Sequence, residues 1–338
     1  MGTTPSIASP KPLQDRFGRH INYLRVSVTD RCDFRCIYCM NEKTQFTPRS
    51  CILTLEEIAF IIQAFSLLGV SKVRITGGEP LVRNNLSWLI KEIQTFPELK
   101  ETVLTTNGSQ LQRLAPELRQ AGIKRINISL DTLRPERFKK ISRIGHLETV
   151  LHGIETCKQL GFQRLRLNTV IMKNINHDEI LDLVHFAIQQ KIDIAFIEEM
   201  PLGNLEERNR ADTFYSNSQI KQDLEQRFTL HTSTASSGGP AKYFQIENSN
   251  SKVGFISPHS HNFCQQCNRV RLTTDGRLLL CLGQEHSVDL KAIVRAHPGR
   301  MDVLQKAIVA AMAVKPFGHE FNLNQPVVIS RHMNVSGG

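Results

Sequence analysis

At residues 32–43 the chain reads CDFRCIYCMNEK, directly after the β-branched run INYLRVSV at 21–28. Cys32, Cys36 and Cys39 therefore fall within one short segment that follows a strand. Three thiolates bind a metal centre well but leave it one ligand short, which invites a substrate or cofactor into the open position. The run before the thiols sets the fold, because five more like it follow: KVRIT (72–76), TVLTT (102–106), RINISL (125–130), RLRLNTVI (164–171) and IAFIEEM (194–200). Amphipathic stretches lie between them. In TLEEIAFIIQAFSLLG, Thr54 and Glu57 form a capping box and Gly69 supplies the stop. Six strand–helix repeats predict an α/β fold whose parallel sheet curves into part of a barrel.

In such a sheet the chemistry sits at the carboxyl ends of the strands. CDFRCIYC follows the first strand, GGEP (77–80) the second and Asn107–Gly108 the third; SLD (129–131) ends the fourth and Met200 the sixth. All the unusual residues land on one rim. Residues 1–20, rich in Ser, Thr, Pro and basic groups, read as a mobile tail, and 21–215 as the barrel. Residues 216–338 read as a smaller C-terminal domain of polar loops, short strands near YFQIE and VGFIS, and a helix around MDVLQKAIVAAMAV.

The chain has 338 residues, 40% hydrophobic and 22% charged, which suits a globular protein with a real core. Its formal charge of +10 points to an acidic partner. The basic residues are dispersed and only one Trp and four Tyr are available for stacking, so a small phosphorylated ligand fits better than nucleic acid. No apolar run is expected to span a bilayer and no secretory signal is evident, so the chain reads as cytoplasmic. In that compartment eight cysteines are not disulfides. Cys51 and Cys157 read as isolated buried thiols, whereas Cys264, Cys267 and Cys281 form a second group. From spacing alone that group suits structural zinc, with His259 or His261 as a fourth ligand, as well as it suits iron–sulfur.

CDFRCIYC together with GGEP resembles the radical SAM superfamily. The resemblance implies that Cys32, Cys36 and Cys39 hold a [4Fe–4S] cluster whose free iron chelates S-adenosylmethionine (SAM), with the GGEP backbone against the methionine amino group. FCQQCNRVRLTTDGRLLLC, with its Arg-x-Arg and third Cys, resembles the GTP 3′,8-cyclase family, from about residue 12 to the final Gly-Gly. That implies a partial (β/α)6 TIM-like barrel with a smaller C-terminal iron–sulfur domain. Cys264, Cys267 and Cys281 would hold a second [4Fe–4S] cluster facing guanine. Tyr38, Gly78, Ser129 and Met200 match positions around SAM, and Arg25, Arg74, Thr105, Arg269 and Arg271 positions that contact GTP. Arg166 stands where the family commonly has Lys, and Gly337 and Gly338 match a tail that reaches the active site.

The implied reaction removes hydrogen from C3′ of GTP and joins C3′ to C8, giving (8S)-3′,8-cyclo-7,8-dihydroguanosine 5′-triphosphate, the first step of molybdenum cofactor synthesis. A reductant such as flavodoxin or ferredoxin, cyclic pyranopterin monophosphate synthase (MoaC) as product acceptor and a homodimer are the implied partners. Three rivals stand beside this reading: another radical SAM enzyme with an auxiliary cluster, a zinc-stabilised nucleic-acid module, and a non-enzymatic iron–sulfur scaffold. His259, His261 and His332 receive no role.

Overall fold

The computed structural model describes residues 12–205, 209–323, 325 and 327–337. Six parallel strands run in sequence order: β1 (Tyr23–Ser27), β2 (Lys72–Thr76), β3 (Glu101–Thr106), β4 (Arg125–Ser129), β5 (Arg164–Val170) and β6 (Asp193–Ile197). One set of alternating side chains on these strands, including Leu24, Val26, Val73, Ile75, Leu104, Ile126, Ile128 and Leu167, enters the hydrophobic core beneath the outer helices. The other set is polar: Tyr23 and Arg25, Lys72 and Arg74, Arg125, Asn127 and Ser129, Arg166 and Asn168. A strand sends successive side chains to opposite faces, so the sheet has a greasy outside and a polar lumen.

An open six-stranded sheet would leave the backbone of β1 and β6 unpaired at its edges. The C-terminal segment supplies the partners on both sides. Strands β7 (Leu230–Thr232), β8 (Lys242–Ile246) and β9 (Lys252–Ile256) extend the β6 edge, with β9 parallel to β6. Strands β10 (Arg269–Leu272), β11 (Arg277–Leu279) and β12 (Ser287–Asp289) extend the β1 edge, with β10 parallel to β1. One twelve-stranded sheet results. Residues on both sides of position 215 thus share a single layer, and the segment after it closes the lumen from two directions.

Part of the expected N-terminal tail is ordered structure. Residues 1–11 lie outside the described residues, but Leu13 is buried and exchanges main-chain hydrogen bonds with Leu68 and Ile21. The helix Leu55–Leu67 starts at the expected capping box, and Gly69 follows it at φ +91°. The stretch Arg49–Leu67 is apolar and long enough by composition to cross a membrane, contrary to the expectation of none. Its Ile58, Ile61, Ile62 and Phe65 are completely buried in the barrel wall, which accounts for its hydrophobicity. Cys157 is buried as expected, but Cys51 is exposed at the end of a short turn rather than buried.

Candidate active site

Backbone register builds the lumen. Arg271, Arg25 and Arg74 fall in one row across β10, β1 and β2, and Tyr23 lies level with Arg269 on one side and Lys72 on the other. Arg74 donates from Nε to the Tyr23 hydroxyl and from Nη1 to Thr105 Oγ1 at 2.7 Å. Arg166 donates from Nε and Nη2 to Asn168 Oδ1, at 3.1 and 2.8 Å, and from Nη1 to the Tyr243 hydroxyl. The amide of buried Asn127 sits between Arg74 and Arg166 and, with its oxygen turned toward them, accepts from both. Arg269 stacks over the Phe263 ring at 5.0 Å. Below them Lys72 and Arg125 pair with Glu101, and Lys72 Nζ also reaches the Ser237 carbonyl at 2.6 Å.

These partners are neutral for Arg74, Arg166, Arg269 and Arg271, so a strong positive potential remains in the cavity. Burial, then the neighbouring guanidinium of Arg269, brings Arg271 down to about 9. Arg166 is lowered by burial, against the stabilising contact with Tyr243. Burial alone would raise the Tyr23 phenol, yet Arg74, Arg25 and Lys72 bring it to about 7.

The first thiol group sits on the upper rim. Phe34 N and Asn107 Nδ2 point at Cys32 Sγ, at 3.3 and 3.7 Å. The loop is braced by Arg35 N and Ile37 N donating to the carbonyls of Ser142 and Ile141. Tyr38 donates to Asp131 Oδ2 at 2.8 Å and lies against Cys36. Burial raises all three thiols, Cys39 to about 12. Closely grouped sulfurs that hold their protons this firmly suit a metal centre that displaces those protons.

Gly77 and Gly78 are required by close approach. A Cβ on Gly77 would stand 2.4 Å from the Thr29 carbonyl oxygen, and one on Gly78 2.4 Å from that of Arg31. The chains are tied there by Gly78 N to Thr29 O (2.7 Å) and Glu79 N to Arg31 O (2.8 Å). Fully buried Glu79 then accepts from Leu81 N, Thr106 Oγ1 and Asn107 N, joining the turn to the end of β3. GGEP thus holds the segment that delivers Cys32.

Cys264, Cys267 and Cys281 line the same cavity as Tyr38, Ser129, Met200, Arg25, Arg74, Arg166, Arg269 and Arg271. Phe263, His319 and Phe321 add an aromatic wall, His319 stacking on Phe321 at 4.2 Å. The C-terminal tail enters this space. Met333 N donates to the Cys39 carbonyl, and Asn334 Nδ2 to that of Asp30. Arg271 Nη1 holds the Gly337 carbonyl at 2.6 Å, with Arg25 Nη2 at 3.5 Å. Gly337, at φ +75°, lies against Thr76; Gly338 lies outside the described residues.

Thr105 acts through Arg74 and Gly78 through the cysteine loop, and neither lines the cavity. The structure gives no support to a zinc site completed by histidine: His259 Nε2 is engaged with the Glu199 carbonyl at 2.9 Å and His261 is exposed. Among the described residues no three His, Cys, Asp or Glu side chains converge tightly enough for a single ion. A polynuclear cluster, which carries its thiolates on separate irons, suits the two groups of three. Sequence reasoning missed Tyr23, Lys72, Asn127, Asn168 and Tyr243. The signal was polar alternation within the strands.

A curved parallel sheet with three thiols at the end of its first strand defines a radical SAM enzyme. Residues 26–187 match the family model of the radical SAM superfamily, and 192–321 that of Molybdenum Cofactor Synthesis C. A curated GTP 3′,8-cyclase of Pseudomonas fluorescens (strain Pf0-1) is 54% identical over 98% of this chain and 100% of its own. The GTP 3′,8-cyclase of Pseudomonas savastanoi pv. phaseolicola is 52% identical over 96% of this chain and 98% of its own. Streptococcus suis SuiB bound to S-adenosylmethionine has the same fold, with a TM-score of 0.59 at 16% identity over 83% of this chain and 65% of its own. The chain belongs to the GTP 3′,8-cyclase family, and its cofactors are [4Fe–4S] clusters and S-adenosylmethionine.

Proposed function

We propose that the lumen binds GTP between the two cysteine groups and that the chain converts it to (8S)-3′,8-cyclo-7,8-dihydroguanosine 5′-triphosphate. One observation carries this reading: buried and half-buried guanidiniums with neutral partners share a cavity with one thiol group and with the tyrosine beside the other. Uncompensated charge of this density calls for a polyanion, and planar guanidinium forks suit phosphate oxygens. Arg25, Arg74, Arg166, Arg269 and Arg271 bind GTP, with Thr105 orienting Arg74. Cys264, Cys267 and Cys281 hold the second cluster on the purine side.

Cys32, Cys36 and Cys39 hold the first cluster, with Tyr38, Gly78, Ser129 and Met200 around SAM. When bound, this pair supplies one-electron chemistry that removes hydrogen from the ribose. The chain's own contribution is to hold C3′ and C8 in reach of each other and to keep water out. Gly337 and Gly338 form the end of the tail that Arg271 and Arg25 draw toward the substrate. A chain of net charge +10 suits an acidic one-electron donor such as flavodoxin or ferredoxin. Cyclic pyranopterin monophosphate synthase (MoaC) takes the product, and the enzyme works in the cytoplasm as a homodimer.

The test is anaerobic turnover of reconstituted protein with dithionite, SAM and GTP deuterated at C3′, following deuterium into 5′-deoxyadenosine by mass spectrometry. GTP-dependent transfer is expected. SAM cleavage without transfer would overturn the substrate and the roles given to the arginines.

A further inference from the structure

Lys315, just beyond the helix Met301–Ala313, is 1% exposed. Its Nζ donates to the carbonyls of Leu280 and Arg269, the latter at 3.0 Å, and lies 4.0 Å from Cys267 Sγ. Three acceptors around one nitrogen require three N–H groups, so this is an ammonium. A charge buried so completely needs a counter-charge. The neighbouring carboxylate of Asp15 is already bound by Arg19 Nε at 2.6 Å and by the main-chain N–H groups of Phe17 and Arg19. Arg19 in turn donates to the carbonyls of Cys264, Pro316 and Phe317, at 2.7, 2.7 and 2.6 Å. It therefore staples the chain just after Lys315 to the cysteine loop and fixes where the ammonium sits. What remains to balance Lys315 is the sulfur group.

We infer that Lys315 is the built-in counter-charge of the second cluster, a positioning residue whose ammonium at Cys267 Sγ raises that cluster's reduction potential above what a neutral side chain would give. The inference rests on the reading of Cys264, Cys267 and Cys281 as cluster ligands. One-electron reduction adds a negative charge to the cluster, and a cation held at a ligand sulfur favours the reduced form.

The test is an anaerobic redox titration with dithionite, followed by electron paramagnetic resonance, on the reconstituted full chain. A parallel series changes Cys32, Cys36 and Cys39 to Ala, so that only the second group can hold a cluster. Lys315→Gln is expected to lower the reduced-to-oxidised ratio at a given potential at least tenfold, which is 59 mV for a one-electron couple. Lys315→Arg, which keeps the charge, is expected to stay within twofold of the parent, and the first cluster to stay unchanged in both. If Lys315→Gln loses the cluster, Lys315→Arg must retain it with the parent's potential. A Lys315→Gln potential within twofold of the parent, or loss of the cluster from both variants, overturns the inference. If the Cys-to-Ala parent carries no cluster, the ligand reading itself falls, an outcome distinguishable from an unshifted potential.

Discussion

Replacing Gly78 with Ala separates two reasons for the GGEP turn. A Cβ at that position would stand 2.4 Å from the Arg31 carbonyl oxygen and 2.6 Å from that of Asp30, whereas ordinary contact begins at 3.4 Å. The two segments would have to part by about 1 Å, and the hydrogen bonds from Gly78 N and Glu79 N would go with them. Each buried partner left unsatisfied costs about 1–3 kcal/mol. The segment Thr29–Arg31 should therefore loosen by roughly 2–6 kcal/mol while the sheet, whose core lies on its other face, stays folded. Cys32 is the next residue. Gly78→Ala is accordingly expected to melt as a cooperative unit yet reconstitute with about half the parent's iron, because the first cluster is lost and the second kept. Iron and sulfide per chain, with SAM binding by equilibrium dialysis, decide the matter. Full iron with lost SAM binding would refute the bracing argument and leave the turn as a SAM contact alone.

Tyr23 should titrate near 7 in the ligand-free protein, against about 10 when unfolded. A depressed acid stabilises the fold increasingly between those values and contributes nothing below about 7, so the stability difference between parent and Tyr23→Phe should grow from pH 7 to 10. Bound GTP should move the phenolate absorbance change upward by neutralising the arginines; a flat stability difference would rule this out. Arg271→Ala removes a charged hydrogen bond worth about 1.5–3 kcal/mol, so amide exchange in the tail at 333–337 should accelerate about 10- to 100-fold. Unchanged protection would mean that something else holds the tail. Arg166→Ala should raise KM for GTP by about 10- to 100-fold, while Arg166→Lys, which keeps the charge, stays within about tenfold. Equal effects from the two substitutions would show that the charge is not what matters.

Much of the wall was legible because its signals are local. KVRIT is a strand over the same five residues, and Thr54, Glu57 and Gly69 mark a helix and its stop as their chemistry requires. The thiol groups were legible as spacings. The rest depended on which face of a strand would be enclosed. Arg25 and Arg74 lie in strands, where an arginine usually meets solvent, and without the family resemblance they read as surface residues. Arg74 is 5% exposed. The same ambiguity hid Tyr23, Asn127 and Asn168, although each stands two residues from a polar neighbour on its own strand. A polar alternation of this kind means solvent on an open sheet and a binding cavity on a closed one, and no single strand distinguishes the two.

Closure is decided far away in sequence, by β9 and β10, and these strands also carry chemistry. β10 brings Arg269 and Arg271 to the same rows as Tyr23 and Arg25, two residues after Cys267. The strand that seals one edge of the barrel thus delivers two guanidiniums and a sulfur in one short segment, and β11 returns to place Cys281 just beyond Leu279. Displacing β10 would open the lumen, remove the second thiol group and release Gly337 together. These functions cannot be dissected by truncating the chain near residue 215, because the barrel left behind would expose the backbone of β1 and β6 and a row of uncompensated arginines.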